Sequence, residues 1–341
     1  MMKKFVTPIL IAGGIFSFTF TASAMPLDTV PIDVTGDFRL RGYSLDDNIG
    51  NADFDESFFQ FTGRINLTAK IDDNTTMFTR FGVRSRLGQT SNDNSANKSY
   101  EQIDQYGLRL TQGDWNLSVG RQGVKLGQGM IIGTGSEVEF DNKFDGLIAT
   151  TKAGAADVKL IAGKTNTSHI METYYGGKAS TWYGAEISGK ISPQVSLGLA
   201  AAHDKPEDSD ISLSSWALNT SVNVAPNLWV NAEYARSNAD RDNSAYLVGG
   251  AYVKGKDVFV AQYQKVENNA VNQVNSMYSY SNFPFKGTNM WLGNSNWHGW
   301  FYKYNHQMNK STSLHAIYMD TAVDGQSGRD KELTVGVVWS F

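Results

Sequence analysis

The sequence contains no cysteine, which excludes disulfide frameworks, thiol nucleophiles and thiolate metal sites. After residue 24 it also lacks any apolar run near the ~18 residues that a membrane-spanning helix needs. Neither charge dominates, because 30 Lys and Arg stand against 34 Asp and Glu, so a nucleic-acid partner, which requires a basic face, is not expected. Since 41% of the 341 residues are hydrophobic, the chain can bury a core, and composition excludes disorder.

An export signal is predicted at the start of the chain. Lys3 and Lys4 precede an apolar stretch over residues 5–20, and Ala22-Ser23-Ala24 matches the small-residue site at which signal peptidase cuts. The apolar stretch is interrupted by a proline and two glycines and is too short for a spanning helix. We therefore expect residues 1–24 to be a cleaved signal peptide and residues 25–341 to form one domain beyond the inner membrane.

The rest of the chain alternates between apolar and polar residues in segments of about ten, the pattern of an outer-membrane β-barrel. Between 58 and 71, for example, Phe59, Phe61 and Ile65 alternate with polar residues. A mean hydropathy of -0.34 agrees with such a barrel, in which only every second residue meets lipid. The predicted strands are 33–43, 58–71, 76–87, 102–111, 115–121, 145–153, 158–165, 181–191, 195–203, 212–224, 228–237, 244–253, 258–266, 297–308, 313–322 and 330–341.

The connections between these strands alternate between tight and long, as periplasmic turns and extracellular loops do in such barrels. Every proline after the signal lies before the first strand or in a turn or loop, where no ladder hydrogen bond is lost. The predicted fold class is therefore all-β, a transmembrane antiparallel β-barrel of about 16 strands in an outer membrane.

Arginines indicate which face of the early strands lines the lumen. Arg80, Arg84 and Arg86 share one face of their strand, and a lipid-facing arginine at mid-membrane costs ~2–4 kcal/mol, so this face is expected to line the lumen. Applied to the first four strands, the alternation predicts a basic cluster on the inner wall. Its members are Arg39, Arg41, Arg64, Arg80, Arg84, Arg86 and Arg109.

The third long loop, about 122–144, is unusually apolar and rich in glycine. It carries Leu126, Met130, Ile131 and Ile132, whereas the loop at 89–99 is polar throughout. A barrel of this size would otherwise enclose a wide aqueous channel, so we expect the loop to fold inward and narrow it. This fold would bring four carboxylates toward the lumen, namely Glu137, Glu139, Asp141 and Asp145.

Two stretches of sequence carry a family resemblance. The last strand alternates up to Trp339 and Phe341 and resembles the C-terminal strand of bacterial outer-membrane proteins, which the barrel-assembly machinery reads. The 16-strand layout, with Gly120-Arg121-Gln122 before the third loop and Phe140-Asp141-Asn142 within it, resembles the Gram-negative general porins. Gly120-Arg121-Gln122, Gly127 and Phe144-Asp145-Gly146 are also similar to a signature of alginate-export outer-membrane proteins, whose barrels are typically longer.

The porin resemblance implies passive diffusion of small hydrophilic solutes and ions through a constriction set by the third loop. It also implies a homotrimer. Acidic loop residues opposite the arginine cluster would create a field across the channel, since charged groups set ion preference in pores. Lipids of the outer membrane and the assembly machinery are the other expected partners, and no cofactor or metal is expected.

Two alternatives remain open from the sequence. A substrate-specific channel for sugars, organic acids or uronates would line its lumen with aromatic rings, for which Phe78, Trp182 and Trp229 are scattered candidates. An enzyme would need a positioned nucleophile and base, but the five histidines lie in no known catalytic motif, so no activity is expected. The loop at 267–296 could cap the mouth, contact a second copy or bind an external ligand.

Overall fold

The computed structural model describes residues 31–50, 54–87, 100–134, 143–166, 179–207, 212–272 and 296–341. Within these ranges no helix is long and apolar enough to cross a membrane. The regular elements in the same ranges are all strands: β1 (Ile32–Asp47), β2 (Phe54–Lys70), β3 (Thr75–Leu87), β4 (Tyr100–Gln112), β5 (Trp115–Gln122), β6 (Val124–Lys125), β7 (Gly133–Thr134), β8 (Lys143–Ala153), β9 (Ala156–Asn166), β10 (Ser180–Lys190), β11 (Val195–Pro206), β12 (Leu213–Ala225), β13 (Leu228–Ser237), β14 (Ser244–Lys254), β15 (Asp257–Val266), β16 (Trp297–Gln307), β17 (Thr312–Val323) and β18 (Asp330–Ser340).

Sixteen of these strands form one closed antiparallel barrel, and β6 pairs only with β7. Each barrel strand pairs with its neighbours in the chain, and β1 closes the ring on β18 from Asp37↔Ser340 to Asp47↔Asp330. Two backbone hydrogen bonds between Gly36 and Phe341, of 3.0 and 3.1 Å, extend this seam. Closure of these sixteen strands leaves the barrel sheet itself without an open edge, which is how barrels avoid edge-to-edge association.

The predicted barrel is confirmed strand by strand, with boundary differences of a few residues. The largest is at β1 and β2, which both extend about four residues further toward the long loops because the acidic run Asp46-Asp47 resembles a loop. The short hairpin β6–β7 was not predicted. Connections of two to four residues join seven strand pairs at the end that carries Ile32 and Ser340, and we call this end periplasmic.

Burial follows the predicted alternation, with apolar side chains outside and polar ones inside. Phe59 on β2 is 58% exposed on the outer face, whereas its neighbour Gln60 is 3% exposed in the interior. The main cluster of buried apolar residues lies within the barrel, where residues 124–132 of the third loop pack against the inner wall. The interior is therefore divided between this apolar plug and polar wall residues.

Candidate functional site

The third loop enters the barrel directly after β5. Its hairpin β6–β7 is closed by a 3.1 Å hydrogen bond from the Leu126 amide to the Ile132 carbonyl. Leu126, Met130, Ile131 and Ile132 are at most 1% exposed. Burying each side chain contributes roughly 1.5–3 kcal/mol, so the apolar composition of the loop explains its inward position. The inward fold is thus confirmed for the described part of the loop, residues 123–134.

The surface that receives the loop includes a row of alanines. Ala200, Ala217, Ala235 and Ala245 are successive cross-strand neighbours on β11 to β14, and all are fully buried with the loop residues. Side chains this small let the loop approach the wall closely. The row was missed because its members come from four strands, and only the strand register brings them together.

Glu233 on β13 holds the tip of the loop. Its Oε2 accepts a 2.9 Å hydrogen bond from the Gln128 amide, and the Met130 amide donates to the same carboxylate. The Gln128 side chain in turn donates to the wall carbonyls of Thr220, at 3.3 Å, and Ala232, at 2.8 Å. These hydrogen bonds hold the loop against β12 and β13 in addition to the apolar packing.

Gly127 is required at this tip for two reasons. Its φ of +58° is left-handed, and a Cβ added there would lie 2.5 Å from Glu233 Oε1. At this position the loop backbone itself lies against the carboxylate. A residue with a side chain would have to displace either the carboxylate or the loop.

The seven predicted arginines occupy inward-facing positions on β1 to β4, as the burial pattern of β3 illustrates. There Arg80, Arg84 and Arg86 are at most 8% exposed, while the alternate residues Met77 and Phe81 are at least 43% exposed. In the ring of strands, β13 lies eight strands from β3 in either direction. The arginine wall and the loop held by Glu233 are thus on opposite sides of the lumen.

Two wall carboxylates that the sequence reasoning missed lie among these arginines. Asp37 accepts hydrogen bonds from Arg39, at 2.6 Å, and from Arg64, at 2.9 and 2.7 Å. Asp104 accepts a two-pronged contact from Arg80, at 2.7 and 2.5 Å, and lies 3.9 Å from Lys143 Nζ. These carboxylates anchor part of the cluster to the wall.

A β-bulge brings Asp104 inward. The pairing of β3 with β4 goes from Arg80↔Gln105 to Phe81↔Ile103 and so skips Asp104, which becomes 2% exposed. A bulge shifts the alternation of inward and outward side chains by one residue. Counting every second residue along β4 therefore could not show that this carboxylate faces inward.

Removing Arg80 alone is expected to destabilise the barrel. Arg80→Met removes two guanidinium contacts to the buried carboxylate of Asp104, and breaking a buried pair in this way costs about 3 kcal/mol. Adding Asp104→Leu removes the orphaned charge and is expected to recover most of the loss. The temperature at which the folded band is lost on a gel measures both effects, and equal losses in the single and double variants would contradict this role for the pair.

Aromatic rings support other arginines of the cluster. The guanidinium carbon of Arg86 lies 4.5 Å from the ring centre of Phe58, and that of Arg109 lies 4.6 Å from the ring centre of Phe78. Phe58 also stacks on Tyr43 at 4.8 Å. Such contacts hold the cations in place without neutralising them.

An acidic group lies on the same wall, closer to the long loops, and consists of Asp47, Glu56, Asp330 and Glu332. Glu332 and Glu56 both flank Leu45, and Asp330 is the cross-strand partner of Asp47. All four carboxylates are buried and face inward, and none was singled out from the sequence. The Tyr43–Phe58 pair lies between this acidic group and Arg41 and Arg86 in the strand register.

Of the four predicted acidic residues of the loop, only Asp145 belongs to the described part of the chain. Glu137, Glu139 and Asp141 lie outside the described residues. Asp145 does not face the lumen: it shares the outward side of β8 with Leu147 and makes 2.7 Å contacts with Arg121. Arg121 stacks beside the exposed ring of Tyr106 on the outer face. The expectation for Asp145 is corrected because Asp145 belongs to β8 and not to the loop, and its pairing with Arg121 and Lys164 places it on the outward side of the pleat.

The loop that follows β15 also starts inward. Ala270 and Val271 are buried in the same apolar cluster as the third loop. The Asn272 side chain donates to Asp204 Oδ2 at 2.5 Å, and Ser237 Oγ donates to the Asn269 carbonyl at 2.5 Å. Residues 267–272 therefore pack inside the barrel beside β11 to β13. Residues 273–295 lie outside the described part of the chain.

Polar space remains on the periplasmic side of the third loop. A cavity of about 730 Å³ is lined by Asn116, Thr150, Lys159 and Glu186 together with residues of the adjoining turns. Lys159 links it to the loop, since its Nζ donates to the Lys125 carbonyl at 3.1 Å and lies 3.3 Å from Glu186. The interior thus retains a cavity beside the loop at this end.

The His, Asp and Glu side chains of the described residues form no metal site. Among them no cluster of three or more His, Asp or Glu side chains could hold a metal ion. The Nδ1 atoms of His298 and His306 each lie 2.8 Å from one carboxylate, of Asp324 and Asp257 respectively, and both histidines are on the outward-facing side of β16.

A closed 16-strand barrel with an inward third loop and a charged lumen is the architecture of a porin-type, multi-pass outer-membrane β-barrel. Solved structures share this fold. Two variants of the Rhodopseudomonas blastica porin each align over 91% of this chain and 100% of their own, with a TM-score of 0.56 and 12% identity. A structure described as "Asymmetric conductivity of engineered proteins" gives the same values. No family model matches the sequence, and no curated protein matches it.

Proposed function

We propose that this protein forms a water-filled channel for passive diffusion of small hydrophilic solutes and ions, constricted by the third loop (about 122–144). One observation carries the proposal: the loop is held on β13, across the lumen from the arginines of β3. A lumen obstructed from one side and basic on the other admits solutes while discriminating among them by size and charge.

In this proposal Glu137, Glu139 and Asp141 face the arginine cluster and set up a transverse field. At ~8 Å a single charge pair interacts by about 0.5 kcal/mol in bulk water and about 2 kcal/mol at an effective dielectric of ~20. Energies of this size orient dipolar solutes and bias ions without holding them tightly. Selectivity is therefore modest and transport does not saturate readily.

A substrate-specific channel is less well supported. Trp182, one of the candidate lumen rings, is buried under the third loop and donates a 3.1 Å hydrogen bond to Thr165. Phe78 is covered by Arg109. These two rings therefore do not present faces along which a sugar could slide. The barrel fold likewise gives no reason to assign an enzymatic activity to the protein.

Liposome swelling separates the two kinds of channel. Proteoliposomes are placed in isotonic solutions of neutral sugars of increasing size, and the initial swelling rate is followed by light scattering. A general pore gives rates that fall smoothly with solute size. One sugar that enters far faster than its size predicts would instead support the substrate-specific alternative.

We further propose that residues 1–24 are removed on export, that the barrel is a homotrimer and that Trp339 and Phe341 act as an assembly signal. Phe341 stacks on Phe38 at 5.5 Å beside the closing seam, where its ring can be read from outside. Phe341→Ala is expected to lower the amount of folded barrel in outer-membrane fractions while refolding in detergent remains normal. Equal reductions in both would indicate a purely structural role.

Gel migration of the protein before and after boiling tests the proposed homotrimer.

A further inference from the structure

A groove on the outer wall lies at the periplasmic end of β14 to β17. It has a volume of about 480 Å³, within the range of ~300–1,000 Å³ typical of small-molecule sites. Small residues form its floor, and aromatic rings form its sides, with Phe259 and Tyr304 5.0 Å apart and Tyr302 and Tyr318 6.3 Å apart. The floor consists of Gly250, Ala261 and Ala316.

The register places these residues in two adjacent outward-facing rows. One row runs Tyr252–Phe259–Tyr304–Ala316, and the next runs Gly250–Ala261–Tyr302–Tyr318. Because they face away from the lumen of a membrane-spanning barrel, their surroundings are hydrocarbon and headgroups. An apolar trough between rings at this position fits a flexible acyl chain.

Cationic groups lie at the periplasmic end of the trough. Lys254 continues the outward side of β14 one step beyond Tyr252, and Lys256 follows in the adjoining turn. Lys256 Nζ donates to the Met308 carbonyl at 3.1 Å, which keeps its ammonium beside the strand ends with two further donors. The neighbouring Asp257 accepts a 2.7 Å hydrogen bond from Tyr304 and lies 2.8 Å from His306, so its charge is engaged locally.

We propose that this groove is a binding site for a glycerophospholipid of the periplasmic leaflet, with one acyl chain between the tyrosines and the phosphate on Lys254 and Lys256. Lys254 lies four residues, or roughly 13 Å along the strand, from Gly250, and Lys256 follows in the turn, so chain and headgroup can be engaged together. The site does not depend on conduction through the lumen, and failure of the channel proposal would leave it intact.

Native mass spectrometry of the delipidated, full-length barrel in detergent tests this site, with dioleoylphosphatidylglycerol as the probe. Gly250→Phe fills the trough, and its Cβ is tolerated because the nearest atom, the Trp229 carbonyl oxygen, would be 3.5 Å away. Lys254→Ala with Lys256→Ala removes the headgroup contacts. The controls are Leu199→Phe, on the outer face of β11, and Lys152→Ala with Lys190→Ala, at the same end but on the lumen side.

The two groove variants are expected to bind the lipid at least fivefold more weakly than the wild type, and the controls are expected to match the wild type. A phosphate-free lipid with the same chains, a digalactosyl diacylglycerol, is expected to bind at least fivefold more weakly as well. Equal binding by all variants would overturn the site, and equal binding of the two lipids would overturn the role of the lysines. Gel migration before and after boiling verifies that each variant is folded.

Discussion

Replacing Arg84 and Arg86 together by glutamine is expected to shift the reversal potential of the channel toward cation preference. Both side chains face the lumen from β3, opposite the wall that holds the third loop. Two charges at ~8 Å from a passing ion change its barrier by about 1 kcal/mol in bulk water and by more at lower dielectric, so the permeability ratio is expected to change about fivefold or more. The measurement is the zero-current potential across a planar bilayer in a salt gradient.

A matched control removes the same charge from the outside of the barrel. Lys164→Gln with Arg236→Gln changes two exposed residues on outward-facing positions of β9 and β13. This variant is expected to keep the wild-type reversal potential. If Arg84→Gln with Arg86→Gln folds normally and also keeps it, the arginines only hydrate the lumen and the selectivity proposal is wrong.

Releasing the tip of the third loop is expected to change conductance more than selectivity. Glu233→Leu removes the acceptor of the Gln128 and Met130 amides, and each buried amide left without an acceptor costs about 1–3 kcal/mol. The loop is then expected to leave its seat on the alanine row, which raises the mean single-channel conductance and broadens its distribution. Single-channel recording at constant voltage measures both quantities.

Two further variants distinguish loop release from general damage. Glu233→Gln keeps an acceptor oxygen of the same reach and is expected to restore most of the wild-type behaviour. Gly127→Ala leaves Glu233 in place but forces a Cβ to within 2.5 Å of its carboxylate at a left-handed φ, and is expected to reproduce the wide, noisy channel. Wild-type conductance in both Glu233→Leu and Gly127→Ala would show that the loop tip does not control the pore.

The barrel could be predicted because its signal is local. In a strand the side-chain period is two, and one lipid-facing arginine is costly, so the face of Arg80, Arg84 and Arg86 was determined by three residues alone. The inward position of the third loop was predictable for a similar reason. Leu126 and Ile131 have no apolar partner on an exposed loop, and the interior is the nearest place where they can be buried.

What could not be predicted depends on register and on strand ends. Asp104 faces inward only because β4 contains a bulge, and Asp145 faces outward because its pairing with Arg121 and Lys164 makes it part of β8 and not of the loop. The role of Glu233 follows from its position opposite β3, which requires the complete strand order. A sequence read strand by strand contains none of this pairing information.

Conductance of the purified, refolded protein in a planar bilayer tests whether the lumen is an open channel with the third loop inside it. The expected record is a series of discrete current steps of uniform size in the wild type and of larger, more variable size in Glu233→Leu. A folded, heat-modifiable barrel that inserts into the bilayer and yet passes no current would contradict the channel.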